Sequence, residues 1–234
     1  MLLVLPATVL SYALGWAIGL PALLPFLNAA VAWWRMAVEL SRGQVRRAIA
    51  VMLVWALTMG VVSTIMAASG WSRRHDGGEL FLRAAYRDEM FQWVRTGVGA
   101  ESTPSTFVPR HLGYAAVFTA TSAATGGVLS MPMGAVLMNQ MGEYVGAMAG
   151  ASAHPFASAV VGWHPWAIVR VTGFVILGVV LSGVVLSRIM RFPYSLRAER
   201  RWLQVGVGLL VLDIALKWTL APAWATLLKG LAGW

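Results

Sequence analysis

The chain has 234 residues, of which 59% are hydrophobic and only 12% charged, about half the charged share usual for a water-soluble domain. Its formal charge of +9 comes from 18 Lys and Arg against 9 Asp and Glu, and it has no cysteine. Disulfides, thiolate metal sites and cysteine nucleophiles are therefore excluded, and lipid rather than water is expected to be the main solvent.

Residues 1–34 and 48–72 carry no charge, and each exceeds the roughly 20 apolar residues that a helix needs to cross a hydrocarbon layer about 30 Å thick. Within lipid the backbone must satisfy its own hydrogen bonds, which makes helix the expected structure of every span. The first span is predicted over 3–33. It reads as retained, because no charged n-region precedes its long apolar run. Pro21 and Pro25 are expected to kink it or break it into two shorter pieces. A broken hairpin there would move the amino terminus to the inner side. Trp33 and Trp34 mark the membrane boundary. The linker 35–47 carries Arg35, Arg42, Arg46 and Arg47 with a single Glu39, and the positive-inside rule makes it cytoplasmic. A second span over 48–69 ends at Trp71.

Residues 72–111 then form the one sizeable extramembrane segment, on the outer side. Residues 79–95 lack Gly and Pro and predict a helix, whereas 97–109 read as a loop. The apolar residues Phe81, Tyr86, Met90, Phe91 and Trp93 spread too widely around a helical wheel to define one face. Residues 112–162 must hold two spans. A turn at 132–134 puts Glu143 near mid-membrane, and a turn at 139–142 puts it in the cytoplasm; the first gives spans of ordinary length and is preferred. A fifth span over 164–187, an Arg-rich cytoplasmic linker over 188–201 and a sixth span over 202–226 complete the reading. It is an all-α, polytopic helical membrane protein of about six transmembrane helices, one domain over 1–234, with both termini outside.

Ionisable groups inside a membrane cost about 2.5–3.5 kcal/mol each on insertion scales, so each needs a partner or an aqueous path. Glu143, Arg170, Asp213 and Lys217 fall in predicted spans. Two acids and two bases at matching depth suggest a neutral cluster, with Asp213 and Lys217 one turn apart on one helix face. Structural glue with snorkelling is the plainer meaning, and an ion or proton relay the sharper one. His75, His111, His154 and His164 all fall at or beyond the outer face, where Asp76, Glu79 and Glu101 offer oxygens. No pair has the spacing of a local metal motif, so interfacial packing is the expected role and no metal or other cofactor is expected. Gly142, Gly146 and Gly150 form a small-xxx-small ladder for close helix packing, within the chain or between copies of it. The Trp residues mostly flank predicted spans and read as belt anchors. No GxSxG, HExxH, Walker A or GxGxxG motif occurs in a fitting context. Ser122 or Ser130 with His111 or His154 lacks an orienting carboxylate nearby in sequence, so an enzyme is not expected. A basic run with interleaved aromatics is also lacking, which argues against nucleic acid as a partner.

From about residue 45 to 225 the chain resembles the stage II sporulation protein M family of membrane proteins. The likeness lies in TGGVLSMPMGAVLMNQMGEYVGAMAG, with Asn139, Gly142 and Gly146, in WHPWAIVRVTGFVILG and in LDIALKWTLAP. Arg170 and Lys217 stand where that family favours glutamate, and its His-Gly step is His164-Pro165 here. The resemblance implies a non-catalytic component of a bacterial inner membrane that scaffolds or supports other membrane or envelope proteins, its outer segment engaging a partner. A small transporter or permease component, with Glu143, Arg170, Asp213 and Lys217 lining a path, is the alternative.

Overall fold

The computed structural model describes residues 3–19, 21–71 and 83–234. His75, Asp76, Glu79 and Phe81 lie outside these. All regular structure among the described residues is helical: α1 (Val4–Ala17), a 3₁₀ turn (Pro21–Leu23), α2 (Leu24–Ser41), α3 (Val45–Ala68), α4 (Arg83–Thr96), α5 (Pro104–Thr125), α6 (Ser130–Ala151), α7 (Pro155–Gly162), α8 (Pro165–Met190) and α9 (Arg200–Ala232). Helices α3, α8 and α9 are long and apolar enough to cross a membrane. At 33 residues, α9 is about 50 Å long at 1.5 Å per residue.

The first predicted span is two helices. Gly19 adopts φ 69°, a left-handed conformation that glycine reaches without a Cβ clash, and Pro21 follows where the helix can no longer continue. Helix α1 then turns back along α2, with Asn28 Nδ2 donating to Ser11 Oγ at 2.6 Å and Gly15 lying against Leu24. Of the two expectations for 3–33, a kink or a break into two shorter pieces, the break is the one found. Helix α2 also runs on past Trp33 and Trp34 to Ser41. It stops in a Schellman motif, Gln44 N to Glu39 O and Gly43 N to Leu40 O, both at 2.9 Å, with Gly43 at φ 70°. Most of the expected 35–47 linker is thus helix.

Neither expected turn within 112–162 is present. The chain reverses at Gly126 and Gly127, φ 60° and 90°. Pro132 sits in the first turn of α6, where its missing N–H costs no hydrogen bond. The expected loop 97–109 is likewise shorter, since Pro104 opens α5 and the helix continues through Pro109.

Contacts divide the chain into two compact units, and α3, α5, α6, α8 and α9 contribute residues to both. Unit 1 comprises Met1–Met59, Gly113–Val136 and Val169–Val211; unit 2 comprises Gly60–Leu112, Leu137–Ile168 and Leu212–Trp234. In unit 1, Trp55 Nε1 donates to Asn28 O and Trp33 Nε1 to Gly126 O, each at 2.8 Å. Phe118 packs on Phe174, ring centroids 4.8 Å apart. Gly173 and Gly206 face one another's helices so closely that an added Cβ would meet Leu210 or Leu177. In unit 2, Met90, Trp93 and Val94 of α4 join Met141, Tyr144, Met148, Trp166 and Leu228 in one core. Trp93 and Trp166 are completely buried, so Trp166, at the start of a predicted span, is a core residue and not the belt anchor expected there.

Two long helices expose apolar side chains. Leu57, Val61 and Ile65 recur every four residues along α3, and Val205, Val207, Val211, Leu212 and Trp218 lie along α9, all exposed. A chain folded for water keeps such side chains scattered; the stripe on α3 and the two apolar sides of α9 mark surfaces made for an apolar medium or a partner.

Candidate functional site

The site is a set of buried charged pairs within unit 2. Helix α9 supplies Asp213 and Lys217, one turn apart, and α6 supplies Glu143; all three are 1% exposed. Glu143 is the fourteenth residue of a 22-residue helix, which keeps it mid-helix although the turn before α6 is not where it was expected.

Each of the three meets a residue of the 83–111 stretch. Lys217 Nζ donates to Glu101 Oε1 at 2.6 Å and lies over the Phe107 ring, 4.7 Å from its centroid. Ammonium, carboxylate and ring quadrupole thus act together on a cation that water scarcely reaches. Asp213 Oδ2 lies 3.5 Å from His111 Nε2. The other ring nitrogen, Nδ1, sits 2.8 Å from the Phe107 carbonyl. That oxygen can only accept, so Nδ1 carries a hydrogen and Nε2 is turned to the carboxylate, where a hydrogen bond requires one further proton on the pair. Glu143 Oε1 lies 3.7 Å from Arg87 Nη1, and Arg87 also engages its neighbour Asp88 at 2.9 Å. With His111 neutral, these six groups hold two positive and three negative charges; an imidazolium balances them.

The backbone explains the placement. Gly97, at φ 71°, ends α4, and the short connection 97–103 carries Glu101 inward before Pro104 starts α5. Phe107 and His111 are then four residues apart on one helix face. Arg110, also on α5, donates to Glu89 Oε1 of α4 at 2.8 Å.

Next to these pairs in the chain, Tyr144 hydrogen-bonds His164 Nε2 across 3.2 Å. His164 stacks on Trp166, ring centroids 4.6 Å apart and planes 14° apart, and Trp93 meets it edge to face at 5.3 Å. This histidine is an element of an aromatic core. His154 is exposed just before α7. Among the described residues no group of three or more His, Asp and Glu is arranged to hold a metal ion.

Arg170 is half-buried and groups with unit 1, whereas Glu143, Asp213 and Lys217 group with unit 2. Ser122 donates to the Phe118 carbonyl of its own helix at 2.8 Å; it and Ser130 fall in unit 1, and His111 and His154 in unit 2. The glycine ladder packs internally. Gly142 faces Ser63, Gly146 faces Thr64 and Ala67, and Gly150 faces Ala68, all on α3. Arg87 and Tyr144 are the site residues that the sequence reading missed. Their signal was available: Arg87 precedes Asp88 and Tyr144 follows Glu143 in sequence.

No family model matches the chain, and no curated protein or solved structure matches it either.

Proposed function

We propose that the chain is a non-catalytic, multi-spanning protein of a bacterial inner membrane that acts as a scaffold or accessory subunit of a membrane complex. About six helical elements lie in the bilayer on this reading. Helices α3, α8 and α9 meet the length and hydropathy requirement, while α5, α6 and the α1–α2 hairpin complete the set. The exposed apolar side chains of α3 and α9 support lipid as their neighbour.

The observation that carries the reading is the pairing of Glu143, Asp213 and Lys217 with Arg87, His111 and Glu101. Charges placed so deep are used to fasten the 83–111 stretch against the helices, which leaves the outer face of that stretch as a fixed surface for a partner. The likeness to the stage II sporulation protein M family points the same way and belongs to the proposal. Purification of the tagged chain in mild detergent tests it. Envelope proteins are expected in constant ratio, lost with Lys217→Met and regained in part with Glu101→Gln/Lys217→Met. A strictly solitary monomer overturns the proposal.

The second reading, a transporter or permease component, draws on the buried charges Glu143, Asp213 and Lys217 of the same site. Liposome flux with Glu143, Arg170, Asp213 and Lys217 neutralised one at a time decides it; unchanged flux in all four removes it.

A further inference from the structure

Beside the turn from α2 to α3 lies a half-open pocket of about 570 Å³ that none of the preceding roles uses. Arg35, Glu39, Arg42 and Arg47 line it together with Leu3, Ala50 and Val51, all within unit 1. Three guanidinium groups and one carboxylate thus meet an aliphatic wall.

The two acid–base partners nearest the floor are not fully used by one another. Arg35 Nη2 donates to Glu39 Oε1 at 2.8 Å. Glu39 is only 5% exposed, and among the described residues no donor reaches its second oxygen, Oε2, nor any acceptor Arg35 Nε. A buried carboxylate oxygen without a donor costs on the order of 1–3 kcal/mol or more, and a rotation of the Glu39 side chain would offer Oε2 to a ligand that brings an N–H. Arg42 and Arg47 are exposed at the mouth, and Arg47 spends one of its five N–H groups on Gln44 Oε1 at 2.9 Å. The remaining donors suit a phosphodiester, which guanidinium groups bind in a forked geometry. Leu3, Ala50 and Val51 suit the first methylenes of an acyl chain.

We propose that this cavity binds one phospholipid headgroup of the phosphoethanolamine type. Arg42 and Arg47, with Arg35 behind them, hold the phosphate, and Glu39 Oε2 accepts from the primary ammonium. The arrangement rests on the membrane reading of the chain, since it needs the α2–α3 turn at a lipid–water boundary. It also assigns a use to the hairpin: folding α1 back brings Leu3 to the arginine end of α2, and without that reversal the cavity has no aliphatic wall there.

Native mass spectrometry of the full chain in detergent, titrated separately with phosphatidylethanolamine, phosphatidylcholine and inorganic phosphate, tests the proposal. One phosphatidylethanolamine is expected to bind about tenfold more tightly than phosphatidylcholine, whose trimethylammonium has no N–H for Glu39. Arg42→Ala/Arg47→Ala, at two exposed positions, is expected to weaken both lipids about tenfold. Glu39→Gln is expected to abolish the preference between them and keep the phosphate contact. Equal binding of the two lipids by the unaltered chain overturns the proposal. So does lipid binding unchanged in the double arginine variant, or complete displacement of lipid by millimolar-range inorganic phosphate, which would make this a free-phosphate site. Carbonate extraction of membranes, run beside it, reports on the membrane reading separately: a chain released into the soluble fraction sinks that reading, whereas an embedded chain without lipid preference sinks only this site.

Discussion

A phenol in the second arginine-rich linker shows how strongly a single contact is fixed outside the apolar helices. Tyr194 donates to the Val180 carbonyl at 2.7 Å, and its ring fills the notch left by Gly183, where a Cβ would overlap it. Burial first, and the Glu199 carboxylate second, push its ionisation upward from the ordinary phenol value. A folded pKa above the unfolded value of about 10 means the contact stabilises fully below that pH and loses its effect as pH rises beyond it. Unfolding followed from neutral pH into the alkaline range should therefore show a loss of stability that Tyr194→Phe lacks; matching profiles for the two proteins would refute the assignment. Gly183→Val should displace the ring and restore normal phenol titration by ultraviolet absorbance. Deeper in the chain, Glu143, Asp213 and Lys217 were legible in the sequence because the cost of a charge in an apolar run is local. Their partners were not, since Glu101 and Lys217 are 116 positions apart and no periodicity links them.

At the scale of elements, α3, α8 and α9 were readable as long apolar helices with ends within one to six residues of those found, because each long apolar run has an arginine-rich linker at one end. The α5–α6 reversal was missed for a specific reason. Pro132 and Gly134 look like a turn, yet a proline in a first turn starts a helix as readily as it ends one, and the left-handed Gly126–Gly127 pair does the reversing. The Gly142–Gly146–Gly150 ladder was legible as a packing device but not as to its partner. The structure seats it on α3. A Cβ at Gly146 would lie 2.6 Å from Ala67 Cβ and 2.8 Å from Ala68 N, contacts that neither helix backbone can relieve. Gly146→Val is therefore expected to lower stability in detergent by about 1–3 kcal/mol through overpacking, while Gly113→Val, at a position with nothing within 4 Å, stays near the unaltered chain. Equal unfolding temperatures for both variants would contradict the α3–α6 contact.

For the molecule as a whole, the hairpin changes the expected path of the chain. With α1 folded back along α2, Leu3 shares a cavity with Arg35, Arg42 and Arg47, so the beginning of the chain belongs to the arginine-rich side. Reporters fused at Leu3, Arg42 and Arg197 should then all report the cytoplasm; opposite compartments for Arg42 and Arg197 would undo the topology. The described part of the 72–111 segment, expected to be extramembrane, packs into the unit 2 core through Met90, Trp93 and Val94 and meets Glu143, Asp213 and Lys217 through Arg87, His111 and Glu101. The sequence separated this segment from the spans because it is polar, and only the pairs reveal that Arg87, Glu101 and His111 face inward.

The central claim is that these buried charges are structural ties. A double-mutant cycle on Glu101 and Lys217, read as thermal unfolding of the purified protein in detergent, tests it most directly. Glu101→Gln and Lys217→Met should each cost about 3–5 kcal/mol by stranding a buried charge, and the double variant should cost clearly less than their sum. Single variants as stable as the parent chain, or strictly additive losses, would contradict the account.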